Sequence, residues 1–297
     1  MAGTYNLEPP GPDRSDTIVG LRVAITGGTS GLGLALVHEL VARGARVAFV
    51  ARDRDRVERV AAATGAHGIV GDVARKNDIH PIALQAIGLL GGLDVLINNA
   101  SSLGPVPLRQ LGDTDCEDLE LALSTNLVGP FRLTKALLGA LCASAREGRG
   151  AVVLNVSSDA AINAYPGWGA YGASKAALHH LSRIWQEEMS AAEPYHCAGA
   201  PASGGSAAAE FSNEAASVGV HQGMHGVRFL SLDPGDMDTP LHALAVPDAE
   251  PATLKRPADA ARELIGAIER ALLDLRSSAQ APPCESRGVE AVATACA

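Results

Sequence analysis

Tyr171 and Lys175 stand four residues apart in "YPGWGAYGASKAAL", in a chain with only four lysines. At i and i+4 on a helix, two side chains share one face. A free tyrosine has a pKa of about 10 and is only ~0.1% ionised near neutrality. A neighbouring ammonium favours the phenolate and lowers that pKa. Such a tyrosine can give a proton to a carbonyl oxygen or take one from an alcohol. Ser158 precedes Tyr171 by thirteen residues, at the end of an apolar strand-like run. Its hydroxyl could hold the same substrate oxygen. Asn126, in "STNLVG", could hold a water linking Lys175 to solvent, and its poor helix propensity favours a functional reason for its place. A lysine on an amphipathic helix can equally be a surface group, so the pair gains its weight from the rest of the chain.

A second constellation opens the chain. "ITGGTSGLGLAL" runs from a buried strand through Thr26, Gly27, Thr29, Ser30, Gly31, Leu32 and Gly33 into a helix. Glycines let a backbone approach a pyrophosphate, and a helix N-terminus offers free N–H groups with partial positive charge. At the end of the second strand an acid would bind ribose hydroxyls, whereas an arginine would accept a 2′-phosphate. Arg52 follows Ala51 there, which predicts NADP(H). The alternative is NAD(H), with Asp53 as the ribose ligand. Asp72 and Val73 after the third strand are placed for the adenine amino group and ring face. Asn98, Asn99 and Ala100 end the fourth strand, where ligands sit in such sheets.

Apolar strands alternate with helical stretches from Leu21 to about Leu275. This predicts an α/β fold: one domain, a doubly wound parallel sheet of Rossmann type, six to seven strands, helices on both faces. Residues 1–20 read as a flexible leader. Residues 194–226, rich in Ala, Gly and Ser, read as a flexible insertion. Residues 276–297 read as a tail in which "GVEAVA" could form a last edge strand. The tyrosine helix should carry the insertion roughly 28 Å from Tyr171, on the far side of the sheet. His221 and His225 have zinc-like spacing but no third ligand, so no metal is expected.

The formal net charge of −9 argues against nucleic acid, which needs a basic surface. Five cysteines without a C-x-x-C pair read as free thiols in a reducing compartment. No apolar run reaches membrane-span length, and the Pro-rich polar N-terminus is unlike a secretory signal. A cytoplasmic protein is expected.

Together "TGGTSGLG", "NNA", "STN", "SS", "YGASK" and "PGDMDT" resemble the motifs of the short-chain dehydrogenase/reductase superfamily, in its compact single-domain branch. The resemblance spans about Leu21 to Leu275. It implies Asn126, Ser158, Tyr171 and Lys175 as a catalytic tetrad. It also implies that Lys175 binds the nicotinamide ribose and that Pro234, Gly235 and Thr239 border the nicotinamide. The substrate would be a small-molecule carbonyl or alcohol. A homodimer or homotetramer through the two long helices is implied as well. Within the superfamily, "PGWGAYGASKAAL" is most similar to sepiapterin reductase and the benzil or diketone reductases, which makes Trp168 and Met237 candidate walls of the substrate pocket. Ser101 stands where the family usually has glycine after "NNA", and the glycine loop lacks the basic residue that many NADP enzymes carry there.

Overall fold

The computed structural model describes residues 17–190 and 226–280. The chain alternates strand and helix: β1 (Arg22–Thr26), α1 (Gly31–Ala42), β2 (Arg46–Ala51), α2 (Arg54–Thr64), β3 (His67–Val70), α3 (Lys76–Leu90) and β4 (Val95–Asn98). Next come α4 (Cys116–Leu123), α5 (Gly129–Arg146), β5 (Ala151–Val156), α6 (Gly169–Ser190), β6 (Val227–Leu232), α7 (Pro240–Ala245) and α8 (Pro257–Gln280). The six strands form one sheet in the order β3-β2-β1-β4-β5-β6, and every neighbouring pair is parallel. A sheet buried on both faces needs strands that are apolar throughout. "AVVLNV" of β5 is buried at all six positions. One core packs α1, α2 and α8 against the sheet, through Leu36, Val57 and Ile265 among others. The other packs α3, α5 and α6, through Ile82, Leu137 and Met189.

Local chemistry sets the helix ends. Asp53 caps α2 by accepting the Arg56 N–H, and Gly65 ends it in the left-handed conformation. Five residues of π-helix, Ser124–Val128, join α4 to α5, so the expected helix over 116–146 is continuous but widened in its middle. That stretch, Cys116–Arg146, is by length and composition long and apolar enough to cross a membrane. This corrects the expectation that no run reaches that length. Half of its most apolar window is buried inside the fold.

Two boundaries also move. Ile18 is fully buried and Thr17 nearly so, so residues 17–20 belong to the folded unit rather than to a leader. Helix α8 continues to Gln280, past the expected end at Leu275. The expected insertion (apart from Gly226), His221, His225 and the "GVEAVA" strand lie outside the described residues. Among those described, Cys116 and Cys142 are free thiols.

The amino ends of the strands are tied by a buried carboxylate. Asp94 accepts from the Arg22 backbone N–H at 2.9 Å, Arg22 Nη2 at 2.6 Å, Arg149 Nη2 at 2.8 Å and Ser144 Oγ at 2.6 Å. Burial alone would push its carboxyl up. Hydrogen bonds from Arg149, Arg22 and Ser144 outweigh burial and hold it well below the usual carboxylate range. A lowered folded-state pKa gives stability that is present above the unfolded value of about 3.9 and is lost as pH falls below it. Asp94→Asn is expected to cost about 2–4 kcal/mol at pH 7 by urea unfolding, and the gap to the native chain should close below about pH 4.

Candidate active site

The carboxyl ends of the strands open onto a cavity of about 490 Å³. It lies across the point where the strand order reverses, between β1 and β4. Crevices at that point are the ligand sites of open α/β sheets. Gly27, Thr29, Ser30, Gly31, Leu32 and Gly33 line one end, as the sequence predicts. A Cβ on Gly33 would stand 2.1 Å from the Gly27 carbonyl oxygen. Gly31 has φ +50°, and a Cβ there would meet Thr239 at 3.2 Å. The glycines therefore let the loop pack closely on the first turn of α1, with the helix N-terminus facing the cavity. That geometry fits the diphosphate of a dinucleotide.

Thr26 is not part of the cradle wall. It is 3% exposed, and its Oγ1 accepts the N–H groups of Asn99 and Ala100, both at 3.0 Å. Asn99 Nδ2 returns the contact by donating to the Thr26 carbonyl at 2.8 Å and the Gly27 carbonyl at 3.2 Å. These bonds clamp the end of β4 to the glycine loop. Asn99 and Ala100 line the cavity, but Asn98 does not. Asn98 is buried and donates to Asn155 Oδ1 at 2.8 Å. Asn155 donates to Ser182 Oγ, and Ser182 to the Leu178 carbonyl. Asn98 therefore belongs to a polar ladder joining β4, β5 and α6, a correction to its expected role.

At the adenosine end, Arg52, Asp72 and Val73 line the cavity. Asp53 does too, but its carboxylate caps α2 and lies 3.4 Å from Arg56 Nε. Arg56, which the sequence reading passed over, lines the same region. Asp72 accepts the Ala74 N–H, and its own N–H donates to Asp78. At the other end Pro234, Gly235, Met237 and Thr239 line the wall. Lys255 holds this loop from behind, donating to the Pro234 carbonyl at 3.1 Å and to Glu263 at 2.7 Å. No local motif marks Lys255 in the sequence.

Ser158, Tyr171, Lys175 and Trp168 meet at the middle of the cavity. Strand β5 ends at Val156, two residues before Ser158, which caps a short 3-10 turn through the Ala160 N–H. Trp168 meets the Tyr171 ring edge-on, with centroids 5.7 Å apart. Lys175 is 2% exposed and donates to the Val156 carbonyl at 2.7 Å. Its Nζ lies 5.6 Å from the Tyr171 ring centre.

The electrostatics differ from the sequence expectation. Burial pushes the Tyr171 phenol up; hydrogen bonding with Ser158 and Ser101 opposes this, while Asp233 and Asp159 add to it. Lys175 is not among the causes. Burial lowers the Lys175 ammonium itself to about 8, with Asp233 resisting. The phenol is therefore held as an acid, because desolvation outweighs the hydrogen bonding that would favour the phenolate.

Asn126 also departs from expectation. It is 1% exposed and is not on the cavity wall. Its Oδ1 accepts from Ser101 Oγ at 3.2 Å and the Ser102 N–H at 2.8 Å. Its Nδ2 donates to the Ser102 carbonyl and to Ser174 Oγ, both at 2.8 Å. Ser174 in turn donates to the Tyr171 carbonyl at 2.6 Å. The side chain is fully committed to these four bonds, which brace the site. Ser174 was missed, although its place three residues after Tyr171 put it on the same face.

Lys175 yields a test. Its folded-state pKa of about 8 lies below an unfolded value of about 10.4, so between these the unfolded chain holds more protons and stability rises with pH. In urea unfolding, the native chain should gain about 2–3 kcal/mol over Lys175→Met from pH 8 to pH 10.4. A pH-independent gap would remove the buried amine from this account.

Residues 22–195 match the family model described as short chain dehydrogenase. Among curated proteins, the chain is 36% identical over 172 residues to a 3-dehydrosphinganine reductase of Arabidopsis thaliana, covering 56% of this chain and 50% of that protein. It therefore spans half the length of that relative. A solved structure of a 3-ketoacyl-(acyl-carrier-protein) reductase from Brucella melitensis, complexed with NADH, superposes with a TM-score of 0.68 at 23% identity, over 84% of this chain and 90% of that one. A short chain dehydrogenase from Burkholderia cenocepacia in complex with NADP gives 0.65 at 22% identity, over 85% and 91%. With the family model spanning more than half of its length, the chain belongs to the short chain dehydrogenase family.

Proposed function

We propose that the protein is an NADPH-dependent oxidoreductase that reduces a ketone or aldehyde, or oxidises the matching alcohol. The observation that carries this is the convergence of Ser158, Tyr171 and Lys175 on one cavity whose far end is the glycine cradle. A bound nicotinamide supplies or accepts the hydride. Tyr171 gives its proton to the substrate oxygen, and Ser158 donates a hydrogen bond to the same oxygen. The raised phenol pKa suits a proton donor and so supports the reductive direction. Lys175, held at the end of β5, lies close enough to offset charge as the phenol loses its proton. Trp168 and the nearby Leu103, Leu241 and Ala245 keep water away from the reacting oxygen.

Three carboxylates, Asp159, Asp233 and Asp236, also line the cavity. They favour neutral or cationic substrates over anionic ones. The likeness to sepiapterin and benzil reductases rests on Trp168 in the wall. Tyr171→Phe should lower turnover at least a thousandfold, with cofactor binding kept, in an absorbance assay over aryl diketones, quinones and aliphatic ketones. A variant that still turns over at near-native rate would sink the mechanism.

NADP preference rests on Arg52, which lines the adenosine end while Asp53 is engaged by its own helix. The solved relatives named above bind NADH in one case and NADP in the other. Arg52→Ala is expected to weaken NADPH binding about ten- to a hundredfold, as a charge-assisted contact of about 1.5–3 kcal/mol implies, and NADH binding little. Equal losses for both cofactors in titration would sink the assignment of Arg52 to the 2′-phosphate.

A further inference from the structure

We propose that the substrate is a ketone with a hydrogen-bond donor, a hydroxyl or an ammonium, on the carbon next to the carbonyl, and that Asp159 receives that donor. The proposal deepens the function given above and rests on Ser158 meeting the substrate oxygen. Ser158 and Asp159 line the same cavity as Tyr171. Ser158 Oγ donates to Asp159 Oδ1 at 3.2 Å and accepts the Ala160 N–H, also at 3.2 Å. A serine hydroxyl has one hydrogen to donate. When Ser158 turns that hydrogen to the substrate oxygen, Asp159 Oδ1 loses its partner. The freed acceptor then lies beside the substrate oxygen. The two oxygens of a vicinal hydroxy ketone are about as far apart as a hydrogen-bonded pair, so one can meet Ser158 while the other donates to Asp159.

The carboxylate is held in place for this contact. Tyr165 Oη donates to its other oxygen, Oδ2, at 2.7 Å. The Asp159 carbonyl accepts the N–H groups of Ile162 and Asn163, both at 2.9 Å, and the Tyr165 carbonyl accepts the Trp168 N–H at 3.1 Å. An ionised carboxylate only accepts hydrogen bonds, so it receives a hydroxyl or an ammonium and disfavours the second carbonyl of a diketone. Reduction adds a hydride from the reduced nicotinamide to the carbonyl carbon and the Tyr171 proton to its oxygen. It gives a vicinal diol or amino alcohol and the oxidised cofactor.

The test measures kcat/KM with NADPH for α-hydroxy-, α-amino- and α-methoxyacetophenone, in the native chain and in Asp159→Ala, with circular dichroism to confirm folding. The methoxy ketone keeps the oxygen but has no hydrogen to donate. The ratio of a donor ketone to the methoxy ketone should fall about tenfold in Asp159→Ala. The larger fall tells hydroxyl from ammonium. Asp159 also bears on the Tyr171 phenol, but that influence acts on all three ketones alike and cancels in the ratio. Ratios within about twofold of native for both donors overturn the proposal. The same ketones are titrated into Tyr171→Phe loaded with NADP⁺, which reads binding without turnover. A donor ketone should bind about tenfold tighter than the methoxy ketone there, and the gap should vanish when Asp159→Ala is added. Equal binding, or none for any of the three, overturns the proposal too. Near-native turnover in Tyr171→Phe overturns the catalytic reading instead, so the two failures are distinguishable.

Discussion

Four hydrogen bonds to the side chain of Asn126 hold the active centre together. They reach Ser101 and Ser102 after β4 and Ser174 on α6, so one amide fixes the separation of two elements far apart in sequence. A buried amide with all of its partners is rigid; the same amide with one missing is costly. The π turn at Ser124–Val128 places Asn126 where it meets both neighbours. Single turns of this kind recur at functional sites. Through Ser174, Asn126 holds the backbone of Tyr171.

Around this brace the sheet acts as a rigid plate. Its carboxyl rim carries much of the cavity wall: the glycine loop clamped by Asn99, the Ser158 turn and the loop backed by Lys255. Its amino rim carries the Asp94 hub, which joins β1, β4, α5 and the turn before β5. The interior between the rims is apolar except for the Asn98–Asn155–Ser182 ladder. The ladder ties β4 to β5 and β5 to α6, although the Asn98 Oδ1 at its end is buried without a partner.

Much of this was legible in the sequence because it depends on period and spacing. The alternation of apolar strands and helices gave the parallel sheet, and i, i+4 placed Tyr171 with Lys175. The glycine loop was legible because its strand–turn–helix context is local. What failed depended on burial and on direction. Neighbours in a strand face opposite ways, so Asn98 and Asn99 could not share the cleft, and only packing reveals which one enters it. The Lys175 effect on Tyr171 was overestimated because desolvation follows from complete burial, which one sequence does not display. Asn126 stood out by its residue type within a helix, but its four bonds did not, because they join Ser101, Ser102 and Ser174 from two distant segments. The first boundary moved because Ile18 is buried ahead of the first motif, and α8 runs past Leu275 with Arg276 donating to the Arg149 carbonyl.

The chain leaves the sheet layer at Ser190 and re-enters it at Val227, and both points lie on the rim away from the cavity. Helix α6 is anchored at its start by Ser174 and Lys175, and along its length by Ser182 and Gln186, which accepts the Phe229 N–H. A helix fixed at so many points along its length holds Tyr171 by its own packing on the sheet, so a disturbance at its far end must break those contacts in turn before it moves the phenol.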